Sequence, residues 1–199
     1  MKVILIRHGM TPGNIEKRYL GRTDEGLSTQ GIEEIKARVQ QKQYPKVDYL
    51  LLSPMKRCQE TAKLIYPELL STGHYLIKEN LKEMDFGKFE YKNYLELSEE
   101  EEYQHYIDCG GMTAFPEGEE PEAFCDRCVE AFCEGMNAIK EKVSVDAVIG
   151  VVVHGGTIRA LMYRLCTEKR TYHEWMLANA DFYRCDYRAE EMSIIYNGR

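Results

Sequence analysis

Three short apolar runs in this 199-residue chain each end in residues suited to an anion. Lys2 to Ile6 stops at Arg7-His8-Gly9. Asp48 to Leu52 stops at Ser53-Pro54, with Lys56 and Arg57 close behind. Ala147 to Val153 stops at His154-Gly155-Gly156. Guanidinium groups grip oxyanions through forked N–H donors, and exposed helix N-termini add backbone N–H groups. Any one of these corners is ordinary in a soluble protein. Two histidines and two arginines at strand ends in one chain describe a site for a phosphate dianion, because ligands of open α/β sheets lie outside the carboxyl ends of the strands.

The elements that must position these groups follow from periodicity and turn chemistry. Ser28 or Thr29 can cap a helix running to about Lys42, with Ile32, Ile35 and Val39 on one face. Ser53-Pro54 reads as an N-cap followed by proline at the first helical position, with the helix continuing through Ala62 towards Ile65. Tyr75 to Lys78 is a candidate third strand. Pro121 to Lys142 is a long helix with Phe124, Cys128, Phe132, Met136 and Ile139 on one face. Ala147 to Val153 is continuous and β-branched, as a strand buried on both faces should be. A helix over Thr157 to Cys166 and a hairpin of Ala180 to Tyr187 with Met192 to Tyr196 complete the pattern. Strands alternating with helices predict an α/β fold: a single three-layer domain over 1–199, its sheet mainly parallel, with helices on both faces. The chain shows no internal repeat and no linker.

Composition narrows the function. Apolar residues make up 44% of the chain and charged residues 30%, the balance of a soluble globular protein. A net charge of -7 disfavours nucleic-acid binding, and no apolar run approaches a membrane span. The opening run is too short for a signal peptide, and seven cysteines are an odd number, so a cytoplasmic chain with reduced thiols is expected. Cys125 and Cys128 have no second pair or histidine at ligand spacing, which argues against zinc. On a helix Cys128 faces the core and Cys125 lies to the side. Trp175 reads as packing. Asn93 to Asp126 holds eleven acids and no Lys or Arg, an excursion from the core that is helical in part. Such a segment could repel polyanionic substrates from a pocket, or be a solvated helix face.

These blocks resemble the histidine phosphatase superfamily, the phosphoglycerate-mutase-like fold, in order along nearly the whole chain. Arg7-His8-Gly9 with Thr11 and Asn14 is similar to the family signature, and Gly21, Asp24, Leu27 and Gly31 follow its next block. Ser53, Arg57, Thr61 and Ala62 resemble its second arginine motif. Leu81 to Gly87 resembles the block carrying the acid, Pro116, Gly118 and Glu119 a further loop, and His154-Gly155-Gly156 the last motif. Met10, Phe89, Tyr91 and Glu120 depart from the usual pattern at positions that bear on substrate choice. The segments around Glu83 to Glu90 and Pro116 to Arg127 look most like α-ribazole phosphatases and related small-molecule phosphatases.

The resemblance implies His8 as nucleophile, with its tautomer fixed by a backbone carbonyl near Gly9. Neighbouring Arg7 and Arg57 should disfavour imidazolium there. It implies that Arg7, Arg57 and an imidazolium at His154 bind the phosphoryl oxygens in place of metal ions, so that no metal or cofactor is needed. Asn14 and the Gly155 amide are expected as extra phosphate donors, and Arg22 as a candidate substrate contact from the loop over the pocket. The resemblance favours Glu83 as general acid and base. In an extended segment Asp85 would share its face, so the residues alone leave both open. The implied excursion over the pocket is a lid, and the implied ligand a small phosphorylated metabolite. The expected activity is phosphomonoester hydrolysis. A phosphoglycerate mutase would want Arg and Lys on the covering segment, and a silent phospholigand-binding protein would be expected to lack His8, His154 or the acid.

Overall fold

The computed structural model describes residues 1–109 and 113–199. Its centre is a six-stranded sheet of β1 (Lys2–Arg7), β2 (Tyr49–Leu52), β3 (Tyr75–Ile77), β4 (Val148–Val153), β5 (Phe182–Arg188) and β6 (Ser193–Tyr196), in the order β3-β2-β4-β1-β5-β6. The first four strands in that order are parallel. β5 runs antiparallel to β1, and β6 antiparallel to β5, forming the expected hairpin. The α/β prediction with a mainly parallel sheet therefore holds. The helices that join and cover these strands are α1 (Pro12–Ile15), α2 (Thr29–Gln40), α3 (Lys56–Ile65), α4 (Pro67–Ser71), α5 (Tyr94–Leu97), α6 (Glu101–Asp108), α7 (Pro121–Lys140) and α8 (Gly155–Leu165).

Strand alternation divides the core in two. Val3, Leu5, Leu51, Ile149, Val151 and Val153 face one layer, which holds α7 and α8. Ile4, Ile6, Leu50, Leu52 and Val152 face the other, which holds α2 and α3. The five predicted core positions of α7 are all fully buried. In α2, Ile35 is fully buried, whereas Val39 is exposed. Trp175 is buried against Tyr183 and Tyr196.

Two boundaries differ from expectation for physical reasons. The helix after β2 starts at Lys56 with Met55 at its N-cap. Ser53 does not cap it, because its hydroxyl is bonded to His154 across the sheet at 2.7 Å. The helix after β4 begins two residues earlier than expected, at Gly155, with His154 at the N-cap.

The acidic excursion carries α5 and α6, while Gly110, Gly111 and Met112 within it lie outside the described residues. It has its own aromatic core. Phe89 packs edge-on to Tyr103 and Phe115 with ring centres 5.5 and 5.8 Å away, and Tyr19 and Phe86 join the cluster.

Phe132 lies at the centre of the α7 layer, touching Tyr187 at 5.0 Å between ring centres. Truncation to alanine removes that packing and leaves a cavity, an expected cost of about 3–5 kcal/mol in urea unfolding. A loss below about 1 kcal/mol would show that the layer does not depend on this ring.

Candidate active site

Register sets the site before any side chain does. Arg7 pairs with Val153 across β1 and β4, so His8 and His154 leave the sheet side by side. Leu52 pairs with Val152 across β2 and β4, which brings Ser53 beside His154. The two imidazole rings lie 5.3 Å apart, edge to face.

His8 is nearly fully buried, and its Nδ1 donates to the Gly9 carbonyl at 2.7 Å. A carbonyl can only accept, so Nδ1 holds the proton and Nε2 keeps a lone pair in the neutral ring. Burial drives the His8 pKa well below the usual histidine value, and the charges of Arg57 and Arg7 push the same way. The expected carbonyl at Gly9 is the one observed. Gly9 is braced in turn by its N–H to Thr61 Oγ1, at 2.9 Å.

Arg57 has no exposed surface. Its Nε donates to His154 Nδ1 at 3.2 Å, and its terminal nitrogens donate to the carbonyls of Thr23 and Gly21 at 2.9 and 2.8 Å. Those two residues are held from the other side by Glu90, whose Oε1 accepts the Gly21 and Thr23 N–H groups. His154 Nδ1 is therefore an acceptor, and Nε2–H is the donor to Ser53 Oγ. Burial and the neighbouring Arg57 charge lower the His154 pKa well below the usual value. His154 is thus a neutral ring, where the resemblance implied an imidazolium.

The cavity beside these groups has a volume of about 730 Å³. Arg7, His8, Asn14, Glu83 and Gly155 line it, whereas Arg57 and His154 sit behind its wall. Arg7 donates to the Leu177 carbonyl at 2.7 Å, while its buried Nε has no hydrogen-bond partner among the described residues. Burial lowers the Arg7 pKa, opposed by the nearby Glu83 carboxylate. Gly155 lies at the N-terminus of α8, where first-turn N–H groups have no helical acceptor. The next N–H, of Gly156, donates to Glu83 Oε2 at 2.8 Å. A Cβ at 156 would push the Glu83 carboxylate from this place, so glycine here leaves the carboxylate its position on the cavity wall.

The structure separates the two candidate acids. Glu83 is buried on the cavity wall. Asp85 is turned away, with Oδ1 accepting from the Gly87 N–H at 2.9 Å. Arg22 does not reach the cavity lining. Its exposed guanidinium faces Asp85 at 4.0 Å and Glu119 at 3.8 Å.

Several site residues escape a reading of the sequence. Arg159 lines the cavity from α8, with a buried Nε that has no partner among the described residues. Its position, one turn beyond the His-Gly-Gly corner, is the available signal. Cys125 is buried and faces the cavity rather than lying to the side of α7. Tyr19, Phe86, Phe115 and Tyr172 give the cavity an aromatic wall. Of the eleven acids of the excursion, only Glu122 lines the cavity. A more open cleft of about 510 Å³ against α6 holds none of the predicted site residues.

Residues 3–197 match the family model described as histidine phosphatase superfamily (branch 1). The adenosylcobalamin/α-ribazole phosphatase of Escherichia coli (strain K12) is 31% identical over 167 residues, covering 83% of this chain and 79% of that protein. The crystal structure of the α-ribazole phosphatase from Shigella flexneri is 24% identical and superposes with a TM-score of 0.80, covering 100% of this chain and 95% of that one. The phosphoglycerate mutase from Thermus thermophilus is 25% identical, with a TM-score of 0.68 and 94% of each chain covered. With paired histidines and arginines at the strand ends and a family match over nearly its whole length, the chain belongs to the histidine phosphatase superfamily, branch 1, and is an enzyme of the phosphatase class.

Proposed function

We propose that the enzyme hydrolyses small phosphomonoesters without a metal, through a phosphohistidine on His8. The observation that carries this reading is the state of His8: neutral, with Nδ1 bonded to the Gly9 carbonyl and the Nε2 lone pair on a ring that lines the cavity. In the first step Nε2 forms a bond to phosphorus as the ester P–O bond breaks. Glu83 gives its proton to the leaving alkoxide. In the second step Glu83 takes a proton from a water whose oxygen displaces His8 from phosphorus. Arg7, Asn14 and the Gly155 N–H hold the phosphoryl oxygens from the cavity wall, while Arg57 behind that wall adds positive charge and His154, tied to Arg57 and Ser53, gives a direct hydrogen bond only if it gains a proton or leaves Ser53. Positioning and charge neutralisation supply most of the catalysis in such a transfer.

For the leaving group we propose a small molecule with a flat portion. The aromatic wall would stack on it, and α-ribazole 5′-phosphate fits, in keeping with the name of the E. coli relative. Arg159 favours a second reading. A mutase must grip a second anionic group, and this cavity guanidinium has a nitrogen with no partner among the described residues and lies 5.6 Å from the centre of the Tyr172 ring. A panel of phosphomonoesters at two pH values, with chelator present, decides between them. Hydrolysis of the panel supports the phosphatase. Interconversion of 2- and 3-phosphoglycerate faster than hydrolysis supports the mutase.

Acid-labile phosphate is expected on His8 in enzyme quenched during turnover, and His8→Ala should lose essentially all activity. Full activity in that variant, or activity abolished by chelator, would refute the mechanism. Glu83→Gln should slow the first step, phosphohistidine formation, by ~100- to 10,000-fold for alkyl phosphates while sparing it for aryl phosphates, whose leaving groups need no proton, and should slow the second step alike for both. Equal losses in the first step on both classes would assign Glu83 a structural role.

The buried neutral histidines also make stability depend on pH. The unfolded chain binds protons on both rings below about pH 6.5, the ordinary histidine value, and the folded chain resists doing so. Their contribution is complete above that pH and is lost as the pH falls below it, at up to about 1.4 kcal/mol per pH unit for each histidine. The urea midpoint should drop between pH 7 and 5.5, and His8→Asn should flatten that slope. A midpoint indifferent to pH in this window would contradict the buried neutral state.

A further inference from the structure

The segment from Leu177 to Ala180 lies outside every block that suggested the site, yet it binds the whole His8 loop. The Leu177 carbonyl accepts from Arg7, and the Ala180 N–H lies 3.1 Å from the carbonyls of both Arg7 and His8. Between them stands Asn179, half-buried, with its side-chain Nδ2 directed at three acceptors: the His8 carbonyl at 3.1 Å, the Gly9 carbonyl at 3.4 Å and Asn14 Oδ1 at 2.9 Å.

These contacts define two amide orientations. The carbonyls of His8 and Gly9 can only accept, so Asn179 must present its NH₂ group to them. Asn14 Oδ1 also accepts from the Thr11 N–H, at 3.3 Å, so it is the Asn14 oxygen that faces the backbone and Asn179. The Asn14 Nδ2 is then left for the cavity, which Asn14 lines, and it donates to no group among the described residues. A flipped Asn14 would set its NH₂ against the donors of Thr11 and Asn179, and would turn an oxygen towards an anion.

We propose that Asn179 is a positioning residue for phosphate binding: it holds the Asn14 amide with its N–H donors facing the phosphoryl group, and ties that amide to the Gly9 carbonyl that fixes His8. This role rests on the phosphate site proposed above. It acts through Asn14, so its energetic effect must pass through Asn14 as well.

The test is a double-mutant cycle read by calorimetric titration with inorganic phosphate, with urea unfolding of each variant alongside. Asn179→Ala should weaken phosphate binding about tenfold, the worth of one hydrogen bond to a charged ligand. The same substitution in an Asn14→Ala background should change affinity by less than about twofold, because the group it positions is gone. If Asn179→Ala does not fold, Asn179→Leu, uncharged and of similar size, has no N–H to give and should show the same loss, again absent in the Asn14→Ala background. Phosphate affinity unchanged by either Asn179 substitution, or losses that add fully to that of Asn14→Ala, would overturn the role while leaving the phosphate site intact. Failure of the unaltered chain to bind phosphate would overturn both.

Discussion

A guanidinium buried without a carboxylate is the constraint on which this site depends. Arg57 has no exposed surface, and among the described residues no acid lies within ion-pair distance of it or of Arg7. Burying an unpaired charge costs several kcal/mol unless its hydrogen bonds are met. Here they are met by neutral acceptors: the carbonyls of Gly21 and Thr23, and His154 Nδ1. Burial does most to keep the two histidines unprotonated, and because neutral acceptors solvate the Arg57 cation without cancelling it, its field pushes the same way. The buried charge therefore helps keep His8 in the state the proposed nucleophile requires and leaves positive potential where a dianion would bind.

The rest of the fold can be understood as what holds that charge in place. Parallel pairing of β1, β4 and β2 puts His8, His154 and Ser53 at one level of the sheet edge. Ser53 then fixes the His154 ring from one side while Arg57 fixes it from the other. Glu90 grips the N–H groups of the two residues whose carbonyls receive Arg57, so a residue outside the cavity determines where the guanidinium sits. The site therefore extends well beyond the groups that would touch a ligand.

The parts of this arrangement legible in the sequence are those carried by one local stretch. A strand buried on both faces shows as a continuous apolar run, and the residues that end it must lie at the sheet edge, which is why His8, Arg57 and His154 can be named. The packed face of α7 is equally plain, because its period is set within one helix. What cannot be read are contacts between stretches far apart in the chain. Asn179 meets Asn14 across 165 residues, and nothing in Ala178-Asn179-Ala180 distinguishes it from ordinary turn chemistry. Ser53 misleads for a related reason: Ser-Pro is a strong capping signal, and a hydroxyl engaged by a distant histidine overrides it. The choice between Glu83 and Asp85 likewise needs the Gly156 N–H, a partner 73 residues away.

The acidic excursion shows most clearly how composition and placement can diverge. Its charge suggests a field over the pocket, but its acids mostly face bases of the scaffold. Glu96 pairs with Arg18, Glu100 with Lys92, Glu102 with Lys88, Glu119 with Arg127, and Glu122 and Asp126 with Arg164. Exposed pairs of this kind each contribute little. Their one-sided distribution does orient the segment, with acids on the excursion and bases around it, while the burial of Phe89, Tyr103 and Phe115 supplies the cohesion. The same aromatic cluster continues through Tyr19, Phe86 and Phe115 into the wall of the cavity. The segment therefore presents rings and a single carboxylate, that of Glu122, to the cavity, and under the proposed mechanism a leaving group would be selected there by shape and stacking while the arginines around His8 would read charge.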